Sequence, residues 1–181
     1  VVTLSKPIYS IKELNYGDLH PNIQISARVA QPMIGLGLIQ SIEPKDILTN
    51  QDPDDENNDT VSGVANIVWD YSSNNTNIGL FGWKAAQPSI RQQPADAFHN
   101  DMGLSSAHYP NGSNCTEKQT ECNQFENGND LNKDFELSSG QIDLIEFYSS
   151  HLAVPARRDH DNEKVLAGKK IFYESGCTSC H

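Results

Sequence analysis

Apolar residues recur at helical spacing most clearly in residues 138–152. Ser138 and Gln141 form a capping-box pair at the start of this stretch, which satisfies free backbone N–H groups of a first helical turn. Pro155 lies shortly after the stretch and cannot continue a helix. The sequence therefore predicts a helix here, with an apolar face made of Ile142, Ile145, Tyr148 and Leu152.

A second helix is predicted near the C-terminal end. It begins near Asn162, a favourable N-cap residue, and ends at Gly176, where a left-handed glycine cap turns the chain. Gly168 lies within this helix, and a glycine there permits close crossing by another helix. The apolar residues of the helix are Val165, Ile171 and Phe172.

The N-terminal half of the chain has weaker patterning. Residues 3–19 alternate loosely between apolar and polar, which indicates short extended segments or a surface hairpin. An apolar, glycine-rich run follows at residues 28–42, where Pro32 suits the first turn of a helix. Gly35 and Gly37 in this run allow a bulky neighbour, either another helix or a large prosthetic group, to approach the backbone.

Shorter elements are predicted in the middle of the chain. Residues 44–48 resemble a helical turn, residues 67–71 a strand, and residues 72–77 a turn or loop. Pro88 can start a helix, although Pro94 would kink or split it. The pattern as a whole predicts a mainly α-helical fold with long irregular loops and a few short strands. The inward-facing residues expected after Pro88 are Ile90, Ala97 and Phe98.

Composition and charge narrow the functional classes. Only 36% of the 181 residues are hydrophobic and the mean hydropathy is −0.56, so long polar connections are expected. The net charge of −11 argues against nucleic acid or an anionic membrane as a partner. Because no run of about 18 apolar residues occurs, we expect a soluble chain without a membrane span, and any export signal would lie before Val1.

The strongest chemical signal is the sequence GCTSCH at residues 176–181. A C-x-x-C-H motif is typical of c-type haem attachment, in which Cys177 and Cys180 become thioethers to the porphyrin and His181 binds the iron. The cysteines could instead form a redox dithiol or half of a zinc site, but neither a βαβ pattern nor a second ligand pair is visible. The motif predicts covalent haem c in a c-type cytochrome-like fold. Since further chain must cover the haem, we expect a fragment of a longer protein.

Several residues are candidates to complete a haem site. His20 and Met33 could each be a second axial ligand, although either could be purely structural. Arg157 and Arg158 could form salt bridges to a haem propionate, or simply serve the surface. A small electron-carrier protein with a basic surface is the expected partner for this acidic chain.

The other two cysteines, Cys115 and Cys122, bracket a polar loop at residues 115–122. A disulfide would close this loop in an oxidising compartment, where c-type haem is also matured, whereas the alternative is two free thiols. The pair favours a periplasmic or secreted location.

An acidic loop occupies residues 52–63. Asp55, Asn57 and Asp59 stand at alternate positions, as in the first half of a calcium-binding loop. Thr60 replaces the expected glycine and no glutamate closes the loop. Calcium and a simple solvated loop both remain open interpretations.

Five segments, taken in order, resemble one family, the bacterial di-haem oxidoreductases. These are peroxidase-like proteins related to the di-haem cytochrome c peroxidases and also called thiol oxidoreductases. The resemblance implies a first C-x-x-C-H motif before Val1 and the rest of a second haem domain after His181. The segments are RVAQPMIGLGLI at residues 28–39, FGWKAAQPSIRQQ at 81–93, DMG at 101–103, LAVPARR at 152–158 and the terminal motif.

The resemblance also implies a division of the chain and roles for three residues. Residues 1–160 would be the inter-haem or first-domain segment, and residues 161–181 the start of a C-terminal cytochrome c domain. Trp83 would lie between the two haems as an electron relay, with Gln93 and Asp101 at the peroxide-binding iron. Peroxide cleavage needs a group that takes a proton from one oxygen and returns it to the departing one, and a carboxylate beside a glutamine can do this.

The resulting hypothesis is a periplasmic di-haem c-type oxidoreductase with peroxidase-like activity. Electrons would enter at the haem on Cys177, Cys180 and His181, pass near Trp83, and reach an upstream haem that binds peroxide or another small substrate. The main alternative is an electron-transfer c-type cytochrome with no open substrate site. A third interpretation is a structural or binding module whose haem only staples the fold.

Overall fold

The structure, a computed structural model, describes residues 4–15, 17–129 and 134–180. The mainly helical class is confirmed, since these ranges contain six α-helices, one two-stranded sheet and one 3-10 turn. His181, the predicted iron ligand, lies outside the described residues. None of the described helices is long and apolar enough to cross a membrane. The helices are α1 (Leu36–Gln40), α2 (Pro44–Thr49), α3 (Gln92–Met102), α4 (Thr120–Gln124), α5 (Ser139–His151) and α6 (Glu163–Glu174).

The sheet is a hairpin of β1 (Ile67–Asp70) and β2 (Asn75–Ile78), paired antiparallel with Asp70 opposite Asn75. The predicted strand at residues 67–71 is confirmed, but the second half of the predicted loop at residues 72–77 belongs to β2. Asparagine has a low strand propensity, so the sequence of β2 did not predict a strand. Asp70 holds the turn by accepting hydrogen bonds from the Ser72 backbone N–H and the Ser73 hydroxyl, at 2.9 and 3.0 Å.

Helix α3 begins at Gln92, four residues after Pro88, and continues unbroken to Met102. The prediction that Pro94 would kink or split this helix is wrong. Pro94 is the third residue of α3, where a backbone N–H would have no acceptor within the helix, so its missing donor costs nothing. Ser89 fixes the start, since its hydroxyl accepts a hydrogen bond from the Gln92 N–H at 3.1 Å.

Helix α5 confirms the capping box, because the Ser138 hydroxyl accepts from the Gln141 N–H and the Gln141 side chain accepts from the Ser138 N–H. Its buried face differs from the predicted one. Tyr148 is 62% exposed, whereas Ser149 is 2% exposed and takes the inward position seven residues after Ile142. The prediction for Tyr148 is therefore wrong. Position 149 is two helical turns after Ile142 and faces inward, although it carries a polar side chain.

Helix α1 packs closely on α5. It begins at Leu36, later than Pro32, after Gly35 adopts a left-handed φ of 75° and donates its N–H to the Leu152 carbonyl at 2.8 Å. A side chain at Gly37 would overlap the backbone carbonyl of Ser150. The bulky neighbour expected at this glycine is therefore helix α5.

The two ends of the chain are arranged differently. Residues 4–15 and 17–34 contain neither helix nor strand, so a hairpin predicted there is not found among the described residues. Helix α6 agrees with its prediction, with the Asn162 side chain accepting the Lys164 N–H at 2.9 Å and Gly176 left-handed at φ 75°. A Cβ atom added at Gly168 would meet nothing within 4 Å outside its own helix in the described part of the chain, so no other described helix crosses closely there.

The packed core lies between α3 and α5. Its buried centre is made of Ala95, Leu137 and Ile142. Arg91, just before α3, donates to Asp143 and to Glu146, the latter at 2.9 Å, and this pair of carboxylates on α5 fixes the two helices together. Further apolar residues packed against the core are Phe98, Leu104 and Tyr109.

Candidate functional site

A cavity of about 650 Å³ lies beside this core. This volume is within the range of small-molecule and cofactor sites in proteins. Its walls come from residues 30–34, from α1, α3 and α5, and from residues 80–83 after the hairpin. Trp83 and Gln93, from the segment at residues 81–93, and Asp101, from the segment at 101–103, all line it.

Trp83 stands on a short closed loop. Phe81 and Gln87 close the loop through two backbone hydrogen bonds of 3.0 and 3.1 Å. The indole Nε1 donates to the Val29 carbonyl at 2.9 Å, which fixes the ring between this loop and the N-terminal segment. Trp83 lines the cavity and is 60% exposed, so its ring is available to a further partner.

The loop that carries Trp83 is anchored to the hairpin. The Asn66 side chain donates to the carbonyls of Lys84 and Ala85, at 3.0 and 3.1 Å. A side chain at Gly79 would overlap the Ala85 carbonyl, so glycine is needed at this approach. Trp83 is therefore held by several independent contacts.

Gln93 and Asp101 lie on the same face of α3, since they are eight residues apart and Ala97 lies between them on the cavity wall. Gln93 stands near the start of α3 and Asp101 near its end, where Asp101 is exposed. A carboxylate and an amide thus share one wall of a largely apolar cavity.

Two buried polar atoms at the cavity lack a hydrogen-bond partner among the residues the structure describes. They are the Gln93 side-chain oxygen Oε1 and the Ser149 hydroxyl Oγ. Ser149 was not predicted as a site residue. The available signal was its place on the apolar face of α5, where a serine is out of character.

The Cys177 to Ser179 turn follows α6 directly. Cys177 and Cys180 are both free thiols, and Cys180 is exposed. They do not line the cavity described above. The Ser179 hydroxyl, between the two cysteines, donates to the Asp59 carboxylate at 2.7 Å, which brings the acidic loop onto the motif.

The acidic loop at residues 52–63 is closed by paired backbone hydrogen bonds of 3.0 Å between Asp52 and Gly63. Asp55 accepts the N–H groups of Asp59 and Thr60, and Asn57 also accepts that of Asp59. The hydrogen bond from Ser179, with one from the Val61 N–H, holds the pKa of Asp59 below its ordinary value. Calcium binding at Asp55, Asn57 and Asp59 stays a prediction. In the described ranges, no three His, Cys, Asp or Glu side chains are grouped to hold a metal ion.

The remaining candidates fall into two groups. Met33 lines the cavity with Trp83, Gln93 and Asp101. His20, Arg157 and Arg158 are exposed and do not line it. Cys115 and Cys122 form a disulfide, with their Cα atoms 6.1 Å apart, and neither lines the cavity.

Comparison with known protein families identifies a match over most of the chain. The family model described as "Di-haem oxidoreductase, putative peroxidase" matches residues 9–181. No curated protein and no solved structure matches the chain significantly.

Proposed function

Since the chain belongs to the di-haem oxidoreductase family, we propose that it takes part in peroxidase-like chemistry with covalently attached haem. The family resemblance drawn from the sequence motifs is confirmed. The observation that carries the proposal is the meeting of Trp83, Gln93 and Asp101 at one cavity. A tryptophan, an amide and a carboxylate supply electron relay, hydrogen bonding and proton transfer in one place.

The residues present fit a haem. Cys177 and Cys180 are unbonded to other cysteines and stand at the two ends of one short turn. Together with His181 they would hold the group at this end of the chain. When bound, haem supplies one-electron redox chemistry and iron that can activate an O–O bond.

The chain's own residues divide the work on a peroxide. Gln93 lies on the cavity wall, where its side-chain amide N–H group donates a hydrogen bond to a peroxide oxygen. The Asp101 carboxylate takes a proton from one peroxide oxygen and returns it to the departing oxygen. Trp83 relays electrons, and its hydrogen bond to Val29 holds the ring in place for this role.

The location and partner belong to the same proposal. A disulfide between Cys115 and Cys122 favours an oxidising compartment, and we place the protein in the periplasm. The net charge of −11 favours a basic electron-carrier protein as the donor.

Peroxide turnover by the full-length holoprotein tests the role of Asp101. Asp101→Asn should lower the rate of peroxide-dependent oxidation of a reduced carrier by about 10²-fold or more, the usual size of a general acid–base contribution. Asp46→Asn is the matched control, since Asp46 is exposed on α2 and does not line the cavity. Equal rates for the two variants would remove Asp101 from the mechanism.

A pure electron-transfer cytochrome is the second candidate, and Met33 favours it. Its thioether lines the same cavity and is a known type of axial ligand, which would close the iron to substrate. Optical spectra of the holoprotein decide between the two. A high-spin iron that responds to peroxide supports the peroxidase, whereas two low-spin haems that ignore peroxide in every redox state support the carrier.

A further inference from the structure

Tyr109 lies in the loop after α3 and packs against the core between α3 and α5. Its hydroxyl donates a hydrogen bond to the Asp96 carboxylate, with the two oxygens 3.0 Å apart. Two backbone hydrogen bonds between Ser106 and Tyr109, of 3.0 and 3.1 Å, hold the residue in place. A half-buried phenol is therefore fixed with its O–H group directed at a carboxylate.

Two other rings contact the Tyr109 ring. The His99 imidazole stacks on it, with ring centroids 4.7 Å apart and planes within 9° of parallel. Tyr71 meets it edge-on, with centroids 5.1 Å apart. His99 and Asp96 are three residues apart on α3, so the same helix face supplies the stacking ring and the carboxylate. Because Tyr71 is 45% exposed, it connects Tyr109 to the protein surface.

This arrangement suits the one-electron oxidation of a phenol. Losing an electron makes a phenol O–H strongly acidic, so the oxidation is easiest where a base in contact takes the proton. Asp96 is such a base, and it is only partly buried, so the proton can pass on to water. Burial, together with the charge of Asp96, raises the pKa of Tyr109 above its ordinary value, so the phenol keeps its proton until it is oxidised.

The position of Tyr109 relative to the cavity also suits electron transfer. Asp96 and His99, which contact Tyr109, belong to α3, and Gln93 and Asp101 of the same helix line the cavity. A helix with its side chains is about 10–12 Å across. Electrons tunnel through proteins over separations of this order, so an oxidised group at the cavity could draw an electron from Tyr109.

We propose that Tyr109 is a redox-active residue, which gives one electron to the oxidised haem while Asp96 takes its proton, and which Tyr71 connects to the surface. This inference rests on the peroxidase-like function proposed above, because the haem oxidised by peroxide is the electron acceptor. The step leaves a neutral tyrosyl radical at Tyr109, a protonated Asp96 and a haem reduced by one electron.

The return step restores both residues. Tyr71 gives an electron to the Tyr109 radical and releases its own proton to water, and Asp96 returns its proton to Tyr109. A one-electron reductant in solution, such as the reduced carrier protein, then reduces Tyr71 at the surface, with uptake of a proton from water.

Electron paramagnetic resonance of the full-length holoprotein, frozen shortly after mixing with hydrogen peroxide, tests the assignment of Tyr109. The wild type should show a tyrosyl radical, and Tyr109→Phe should lose most of this signal. Tyr148→Phe is the matched control and should keep the signal, since Tyr148 is a 62% exposed tyrosine on α5. Equal signals in the two variants, or no tyrosyl signal in a wild type that consumes peroxide, would overturn the proposal.

Asp96→Asn tests the positioning of the proton acceptor. Its side-chain oxygen can still accept the hydrogen bond from Tyr109 but is not a base, so the midpoint of urea unfolding should stay unchanged. The rate of radical formation should nevertheless fall about tenfold or more, and Asp96→Glu should recover part of it. A purely structural role predicts the reverse, namely altered unfolding and an unchanged rate, and this result would remove Asp96 from the proposal even if Tyr109→Phe failed to fold.

A flash-photolysis experiment separates this inference from the function on which it rests. Photo-oxidised ruthenium tris(bipyridine) is a one-electron oxidant that needs neither peroxide nor turnover. A longer-lived tyrosyl radical in the wild type than in Tyr109→Phe would keep Tyr109 as a redox site even in a protein that is inert to peroxide. Equal radical lifetimes in a protein that does consume peroxide would keep the function and remove the inference.

Discussion

Gln92 and Gln93 are neighbours in sequence with opposite surroundings. The Gln92 amide is 2% exposed and makes three hydrogen bonds, from the Tyr71 N–H and to Trp69 and Gln87, all within 3.0 Å. Gln93 faces the cavity, and its Oε1 has no partner in the part of the chain that is described. Successive helical residues point about 100° apart, so Gln92 anchors the hairpin to α3 while Gln93 lies on the cavity wall.

This contrast predicts opposite effects on stability. Gln92→Leu should lower the free energy of unfolding by about 1–3 kcal/mol, because it leaves buried backbone groups of the hairpin unsatisfied. Gln93→Leu has the same change in shape but removes an atom that already lacks a partner, so stability should stay within about 1 kcal/mol of wild type or rise. Urea denaturation of the two variants measures the difference, and equal losses would contradict it.

At the scale of single residues, the sequence pointed to some of the cavity-lining residues and missed others. The family motifs led to Trp83, Gln93 and Asp101, which do share a cavity. Ser149 and Gln92 were missed, because a serine or glutamine becomes special only when burial removes water from it. That information is in the packing of α3 and α5, not in the local sequence.

Helices α1 and α5 pack against each other, and their contact depends on Gly37. A Cβ atom there would overlap the Ser150 carbonyl, a backbone atom that cannot rotate away. Leu36 and Ile39 of α1 and Ser149 of α5 all line the cavity. The spacing of α1 and α5 therefore sets the width of the cavity.

Gly37→Ala should accordingly destabilise the protein by about 1–3 kcal/mol, the usual cost of overpacking. Gly140→Ala is the matched control, since a side chain there meets nothing within 4 Å and Gly140 lies in the first turn of α5. The control should be neutral or stabilising by up to about 1 kcal/mol, because alanine favours helix more than glycine does. Thermal unfolding of both variants checks this, and a neutral Gly37→Ala would show that the helices can separate freely.

The helices of the C-terminal half were predicted because their capping residues act locally. Ser138 and Asn162 each cap a helix where the sequence indicated. The predictions for Pro94 and for strand β2 were wrong. The effect of a proline depends on its distance from the helix start, and the asparagines in β2 are held by pairing with β1. Both errors come from context beyond a few residues.

The whole molecule is acidic and thinly packed. Its formal charge is −11, and many large apolar side chains stay exposed, among them Ile8, Val29 and Phe125. The low hydropathy predicted the long irregular segments, and residues 4–15 and 17–34 show them. Composition could not predict the cavity, which arises where helices from distant segments meet.

The acidic charge predicts a salt-dependent reaction with the proposed basic electron carrier. Raising ionic strength from about 0.01 to 0.15 M shortens the screening length from about 30 to 8 Å. The second-order rate constant with the carrier should then fall by about tenfold or more. An uncharged small-molecule reductant is the control and should show little change. Stopped-flow kinetics at several salt concentrations measure both, and equal salt dependence would argue against a charge-steered partner.

The bond between Ser179 and Asp59 joins positions 120 residues apart. A ribosome makes a chain from its N-terminal end, so Asp59 emerges long before Ser179 exists. The hydrogen bond between the acidic loop and Ser179 can therefore form only after the residues between them have been synthesised. Because closing so long a stretch of chain costs conformational entropy, we expect the acidic loop to dock after contacts between neighbours in sequence have formed. Pulsed hydrogen exchange of the loop's amides during refolding measures when it docks.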